Sequence, residues 1–179
     1  MDIYAPENPA FATMANHLVG AVHELFEAYG SAVDLSPSVE TSTAGEQDGM
    51  AVIGYAGKGV RGALILIATE ATVCAWMTAA GLPGGDVADT LGEFSNMLLG
   101  RLKARILREG ISIIATTPTS MTGAGLRLSD PSGPCAWSAF DGPGWHLNVR
   151  LDAEFELGFE PDLCRKVSHP AQAGDFLEF

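Results

Sequence analysis

Hydrophobic residues recur at helical spacing in two long segments of the chain. Within residues 11–29 they stand three and four positions apart, which is the period of an amphipathic helix. Pro9 lies just ahead of this segment and Gly30 just past it, as is usual at helix ends. A second segment, from about 86 to 109, has the same period and is followed by Gly110. The pattern therefore predicts two long helices, one in each half of the chain.

The segments around these helices predict strands and one short helix. Alternating residues on either side of Lys58-Gly59 predict a hairpin, and a short helix is predicted over 70–80, ended by the glycine-rich stretch 81–85. The polar stretch 31–48 contains one short predicted strand near Val39. After the second long helix, two strands and a second hairpin are predicted. The longer predicted strands cover 49–57, 60–68, 111–117, 120–128, 135–140 and 145–152.

An internal repeat links the two halves of the chain. The run Asn16-His-Leu-Val-Gly20 matches Asn96-Met-Leu-Leu-Gly100 at an offset of 80 residues, and each helix leads on to a stretch with a hairpin. The copies differ where Thr13 takes the place of Glu93. The repeat predicts an α+β fold in which two long helices pack on a single, mainly antiparallel sheet with an internal pseudo-two-fold relation.

The second long helix carries unusual residues on the face opposite its apolar stripe. At about 100° per residue, the stripe consists of Val87, Leu91, Phe94, Leu98 and Leu102. The opposite face carries Asp89, Glu93, Asn96, Gly100 and Lys103. Asn and Gly are poor helix formers, so their presence beside a glutamate suggests a surface shaped for docking. The plainer interpretation is a solvated helix with an incidental acid–amide pair.

Composition and charge narrow the function classes. The 179 residues suit one domain, and the net charge of −12 argues against a nucleic-acid or anionic-membrane partner. The longest strongly apolar run, 63–68, is far too short for a transmembrane span, and the N-terminus does not resemble a secretion signal. Three cysteines without ligand spacing and four scattered histidines predict no metal site and reduced thiols in the cytoplasm. A basic cluster closes the second long helix: Arg101, Lys103, Arg105 and Arg108. It either complements the helix dipole or faces an acidic partner.

The run Gly92–Lys103, with its Glu93-x-x-Asn96 motif, resembles the signature helix of the CheC/CheX family of bacterial chemotaxis phosphatases. One complete motif and one degenerate helix is similar to CheX, whereas CheC typically has two copies. Three flanking stretches extend the resemblance: Gly59-Val-Arg-Gly-Ala-Leu-Ile, Ala75-Trp-Met and Gly110-Ile-Ser-Ile-Ile-Ala-Thr-Thr-Pro-Thr. The resemblance covers about residues 10–152 and implies a CheX-like domain over 1–152. An acidic C-terminal extension is expected over 153–179.

The resemblance also implies a reaction and a site. The family hydrolyses the aspartyl phosphate of CheY-like response regulators, so Asn96 is expected to orient the attacking water and Glu93 to contact the regulator's lysine. Gly100 would admit the partner's backbone, while Asp89 and Lys103 would flank the contact. No cofactor of its own is expected, because Mg²⁺ would reside on the regulator. A homodimer built by edge strands is implied as well, although the Pro- and Gly-rich stretches 129–134 and 141–144 depart from the family.

Two other functions remain open from the sequence. A non-catalytic interaction module could bind a response regulator or another signalling partner through the same helix. A small-ligand sensor could use the groove between the two long helices, although no cofactor fingerprint or phosphate loop supports it. The presence of Asn96 favours catalysis over the first of these.

Overall fold

The computed structural model describes residues 8–36, 47–79, 81, 85–126, 128–129, 131, 133–159 and 161. The helices are α1 (Pro9–Ala28), α2 (Glu70–Ala79) and α3 (Val87–Leu107). The strands are β1 (Asp34–Leu35), β2 (Gln47–Gly57), β3 (Val60–Thr69), β4 (Ile113–Ala115), β5 (Thr119–Ala124), β6 (Cys135–Gly142) and β7 (Trp145–Phe155). None of the helices in this part of the chain combines the length and apolarity that a bilayer span requires.

The described strands form one seven-stranded sheet in the order β1-β6-β7-β3-β2-β4, with β5 also paired to β2. Every pairing is antiparallel. The central pair is β3 and β7, and each is flanked by its own hairpin partner. Beyond these, β1 from the first half joins β6 of the second, while β4 and β5 from the second half join β2 of the first. This exchange of outer strands has the symmetry of the predicted repeat, and the predicted fold class is confirmed.

The first long helix begins at Pro9, two residues before the predicted segment 11–29. Asn8 is the N-cap, and its side-chain oxygen accepts hydrogen bonds from the backbone N–H groups of Ala10 at 2.9 Å and Phe11 at 3.4 Å. Proline suits the first helical position because its missing N–H would have no helical partner there. The helix ends where Gly30 takes a φ of +68°.

The second long helix contacts both α1 and the sheet, so its buried face is wider than the predicted stripe. Asp86 caps it by accepting from the N–H of Asp89 at 3.0 Å. Val87 is only half-buried, whereas the rest of the stripe is buried. The buried face consists of Leu91, Gly92, Phe94, Ser95, Leu98, Leu99, Leu102 and Ile106.

Both predicted hairpins are present, and each has a two-residue turn. Gly59 and Gly144 have φ values of +75° and +76°, which an L side chain rarely adopts. The second turn is shorter than predicted because β6 continues to Gly142. The strand predicted over 111–117 is reduced to Ile113–Ala115.

The reason for the short β4 lies at Thr116. Its N–H donates to the carbonyl of Gly54 at 2.9 Å, and its hydroxyl oxygen accepts from the Gly54 N–H at 3.0 Å. Pro118 has no N–H for a ladder, so pairing resumes only at Thr119, where β5 begins on the same partner strand.

One predicted strand lies outside the described residues, and the predicted domain end falls inside a strand. The strand near Val39 lies outside them, and the short strand found nearby, β1, pairs Asp34 with Asp141 of β6. At the other end, β7 continues to Phe155, beyond the predicted domain end at 152. The ring of Phe159 then packs on Phe155, with centroids 5.3 Å apart.

Candidate functional site

Glu93 and Asn96 lie exposed on one turn of α3, and the two residues between them are buried. Phe94 packs in the core, and the Ser95 hydroxyl donates to the carbonyl of Gly92 at 2.7 Å. The turn is therefore fixed from below while its acid and amide face solvent. The sequence missed this role of Ser95 because a serine inside a helix carries no periodic signal.

The other three predicted site residues lie on the same side of α3. Asp89, Gly100 and Lys103 are all exposed, so the structure brings all five candidates to one surface. Gly100 leaves a gap in this surface, because a Cβ placed on it meets no described atom within 4 Å. A partner's backbone has room to approach there.

An aromatic cluster supports the turn that carries the acid and the amide. Phe94 stacks on Trp76 with centroids 5.2 Å apart and on Tyr29 with centroids 5.4 Å apart. The Tyr29 hydroxyl also donates to the sulfur of Met97 at 3.4 Å. Because Tyr29 caps the end of α1, this contact fastens α1 to the site turn. In the sequence Tyr29 appears only as the last apolar residue of the first helix.

The α1 counterpart of the site differs from the α3 site in structure as well as sequence. Asn16 is exposed like Asn96, but the hydroxyl of Thr13 donates to the carbonyl of Pro9 at 2.9 Å. The guanidinium of Arg105 lies over Gly20, where an added Cβ would meet its nitrogens and central carbon at 2.6 to 2.9 Å. The gap that is open at Gly100 is therefore filled on α1.

The basic cluster at the end of α3 does not act as one patch. Arg105 turns towards α1 and forms an ion pair with Glu24, with Nη2 and Oε1 2.6 Å apart. Lys103 and Arg108 are exposed, and Arg101 is half-exposed.

A polar network occupies the sheet face opposite the helices. Arg150 binds the carboxylate of Asp152 through two nitrogens, at 2.6 and 2.7 Å, and donates to the Ser129 carbonyl at 3.0 Å. Nearby, a hydrogen bond from His146, with a second from Ser36, holds the pKa of Asp141 below its ordinary value. Within the described ranges, no three His, Cys, Asp or Glu side chains are grouped so that they could hold a metal ion.

The sequence profile of a family described as chemotaxis phosphatase CheX matches residues 50–140, which is half of the chain and spans β2 to β6 with α3. The chain belongs to the CheX family. The predicted family resemblance is thus confirmed, and the Glu93/Asn96 helix lies inside the matched segment. No curated protein sequence shows a significant match to this chain.

Solved structures of CheX proteins share the fold. CheX from Vibrio vulnificus superposes with a TM-score of 0.68 at 19% identity, covering 79% of this chain and 99% of that chain. CheX from Desulfovibrio desulfuricans gives 0.67 at 22% identity, with 79% and 99% covered. A chain of the CheX–CheY–BeF3–Mg²⁺ complex from Borrelia burgdorferi gives 0.62 at 16% identity, with 81% and 97% covered.

Proposed function

We propose that this CheX-family protein hydrolyses the aspartyl phosphate of a CheY-like response regulator. The observation that carries the proposal is the exposed pair of Glu93 and Asn96 on a turn that is buried from below and adjoins an open glycine. Family membership supplies the reaction class, and the Borrelia burgdorferi CheX–CheY complex, which holds BeF3 and Mg²⁺, supports a receiver as the partner.

In the proposed reaction, water attacks phosphorus in line with the acyl–phosphate bond. That bond breaks, the aspartate carboxylate leaves, and the water protons end on the phosphate and solvent. The Asn96 carboxamide oxygen accepts a hydrogen bond from the water, while its NH₂ donates to a phosphoryl oxygen. Orienting water for a hundredfold gain lowers the barrier by about 2.7 kcal/mol, which positioning alone can supply. An amide does this without a shifted pKa.

Glu93 supplies the docking contact in this proposal. Its carboxylate forms a charge-assisted hydrogen bond with the regulator's lysine and sets the register of α3 on the active site. Gly100, about a turn further along, admits the regulator's backbone, and Asp89 and Lys103 contact its surface on either side. The Mg²⁺ ion that neutralises charge on the phosphoryl group is held by the regulator, and this protein adds no cofactor.

We further propose a homodimer through the free edge of the sheet formed by β4 and β5. Both strands pair only with β2, which leaves one side of each unpaired within the part of the chain that the structure describes. The edge exposes apolar side chains, with Ile114 73% and Met121 43% accessible. An open edge with exposed apolar residues favours pairing with another strand.

The deciding experiment is release of inorganic phosphate from a CheY-like receiver phosphorylated with acetyl phosphate. Wild-type protein is expected to accelerate release. With Asn96→Ala, the rate is expected to equal that of the receiver without added protein. Glu93→Ala is expected to weaken binding and raise the receiver concentration needed for half-maximal rate. Binding of the receiver without any acceleration by wild type would replace the phosphatase with a non-catalytic interaction module.

A further inference from the structure

The pseudo-two-fold repeat gives α1 a second copy of the site's amide and glycine. Asn16 and Gly20 on α1 correspond to Asn96 and Gly100 on α3 at the same offset of 80, and both asparagines are exposed. The outer strands of the two halves are also exchanged symmetrically around β3 and β7. The α1 face therefore has the framework of a docking site, so its differences from α3 decide whether a regulator binds there.

The main structural difference is Arg105. Its guanidinium fills the space over Gly20, and Glu24, one turn along α1, holds it there through the 2.6 Å ion pair. On α3, a Cβ on Gly100 meets no described atom within 4 Å. We propose that Arg105 confines docking of the regulator to α3 by occupying the gap over Gly20 that stays open at Gly100. This inference rests on the proposed function.

The two helices also differ in the charged groups that they offer to a partner's lysine. On α3, the Glu93 carboxylate attracts a lysine of the partner. On α1, Thr13 offers no charge, and its hydroxyl is already donated to Pro9. The carboxylate of Glu24 is paired with the Arg105 guanidinium at 2.6 Å, so it does not take the place of Glu93 as a free acceptor for a partner's lysine. A regulator thus meets a blocked gap on α1 and no counterpart of the Glu93 carboxylate.

The test rebuilds the α1 face in a chain whose α3 site is inactive. In the Asn96→Ala background, Thr13→Glu is made alone and together with Arg105→Ala, and phosphate release from the acetyl-phosphate-treated receiver is measured. Thr13→Glu alone is expected to stay at the background rate. Adding Arg105→Ala is expected to raise the rate by about tenfold, corresponding to about 1.4 kcal/mol. A further Asn16→Ala change is expected to abolish the gain.

Calorimetric titration with the BeF3-loaded receiver provides a second measurement, independent of hydrolysis. Wild type is expected to bind a single receiver per chain, and Thr13→Glu/Arg105→Ala a second one. Circular dichroism checks folding, and Arg105→Gln replaces the alanine variant if that variant unfolds. The inference is overturned if Thr13→Glu alone opens the α1 face, or if the folded double variant gains neither rate nor a second receiver. Failure of wild type to accelerate hydrolysis, with one receiver bound, instead removes the proposed reaction.

Discussion

The ring of Tyr29 stacks on the ring of Phe94, with centroids 5.4 Å apart and planes 19° apart. This contact joins the end of α1 to the turn of α3 that carries Glu93 and Asn96. We expect Tyr29→Ala to lower the free energy of unfolding by about 1–3 kcal/mol and to reduce the phosphatase turnover rate, because the site turn loses its lateral support. Urea unfolding and phosphate release measure the two effects.

Tyr29→Phe is the matched control, since it keeps the stacked ring and removes only the hydroxyl that donates to Met97. It is expected to change both quantities much less than the alanine variant. Equal loss of turnover in the two variants would show that the hydroxyl, and not the stacking, supports the site.

Gly100 separates stability from binding. We expect Gly100→Ala to raise the free energy of unfolding by about 0.5–1 kcal/mol, because alanine is the better helix former and the added Cβ meets no described atom. The same methyl group is expected to weaken binding of the regulator by filling the gap. Gly20→Ala serves as the control, because it makes the same change on α1. There the added Cβ displaces the side chain of Arg105, and regulator affinity should stay unchanged. Stronger binding by Gly100→Ala would contradict the docking role.

Arg150 is the buried anchor of the sheet face opposite the helices. Its side chain is 6% accessible, and it holds both Asp152 and the Ser129 carbonyl. We expect Arg150→Ala to lower the free energy of unfolding by about 3 kcal/mol, because a largely buried carboxylate loses its partner. Arg61→Ala breaks an ion pair with Glu154 in which the arginine is 76% accessible, and should cost about 0–1 kcal/mol. Equal losses in urea unfolding would refute the distinction.

The ionisation of Asp141 makes the free energy of unfolding depend on pH under acidic conditions. The pKa of Asp141 is lowered in the folded protein, mainly by the hydrogen bond from His146 Nδ1, 2.6 Å away. Such a carboxylate stabilises the fold above its unfolded pKa of about 3.9, and this contribution disappears as pH falls through the lower folded value. We therefore expect Asp141→Asn to flatten the fall in unfolding free energy below about pH 5. An unchanged profile in urea titrations would rule out this contribution.

The free edge at β4 predicts the oligomeric state. Ile114→Lys places a charge on the exposed edge and is expected to convert the proposed dimer into a monomer in sedimentation equilibrium. Leu157→Lys is the control, since Leu157 is fully exposed but lies beyond the last strand. A wild-type monomer, or a dimer that survives Ile114→Lys, would place the interface elsewhere or remove it.

Local patterns in the sequence determined the helices, both hairpins and the exposed face of α3. The direction of side chains repeats every few residues along a helix or a strand. The placement of Glu93 and Asn96 on one solvent face could therefore be predicted without tertiary contacts. The wider buried face of α3 and the interruption of its following strand at Thr116 could not, because both depend on neighbours distant in sequence.

Only the tertiary structure decided how the two halves exchange strands and which copy of the repeat is open. The pairing of β1 with β6 and of β4 and β5 with β2 joins segments far apart along the chain, and no local periodicity specifies such partners. The sequence shows the same Asn-x-x-x-Gly in both helices. Arg105 reaches Gly20 across the helix interface, and Glu24 holds it there, so the difference between two similar glycines arises from a contact between residues 85 positions apart.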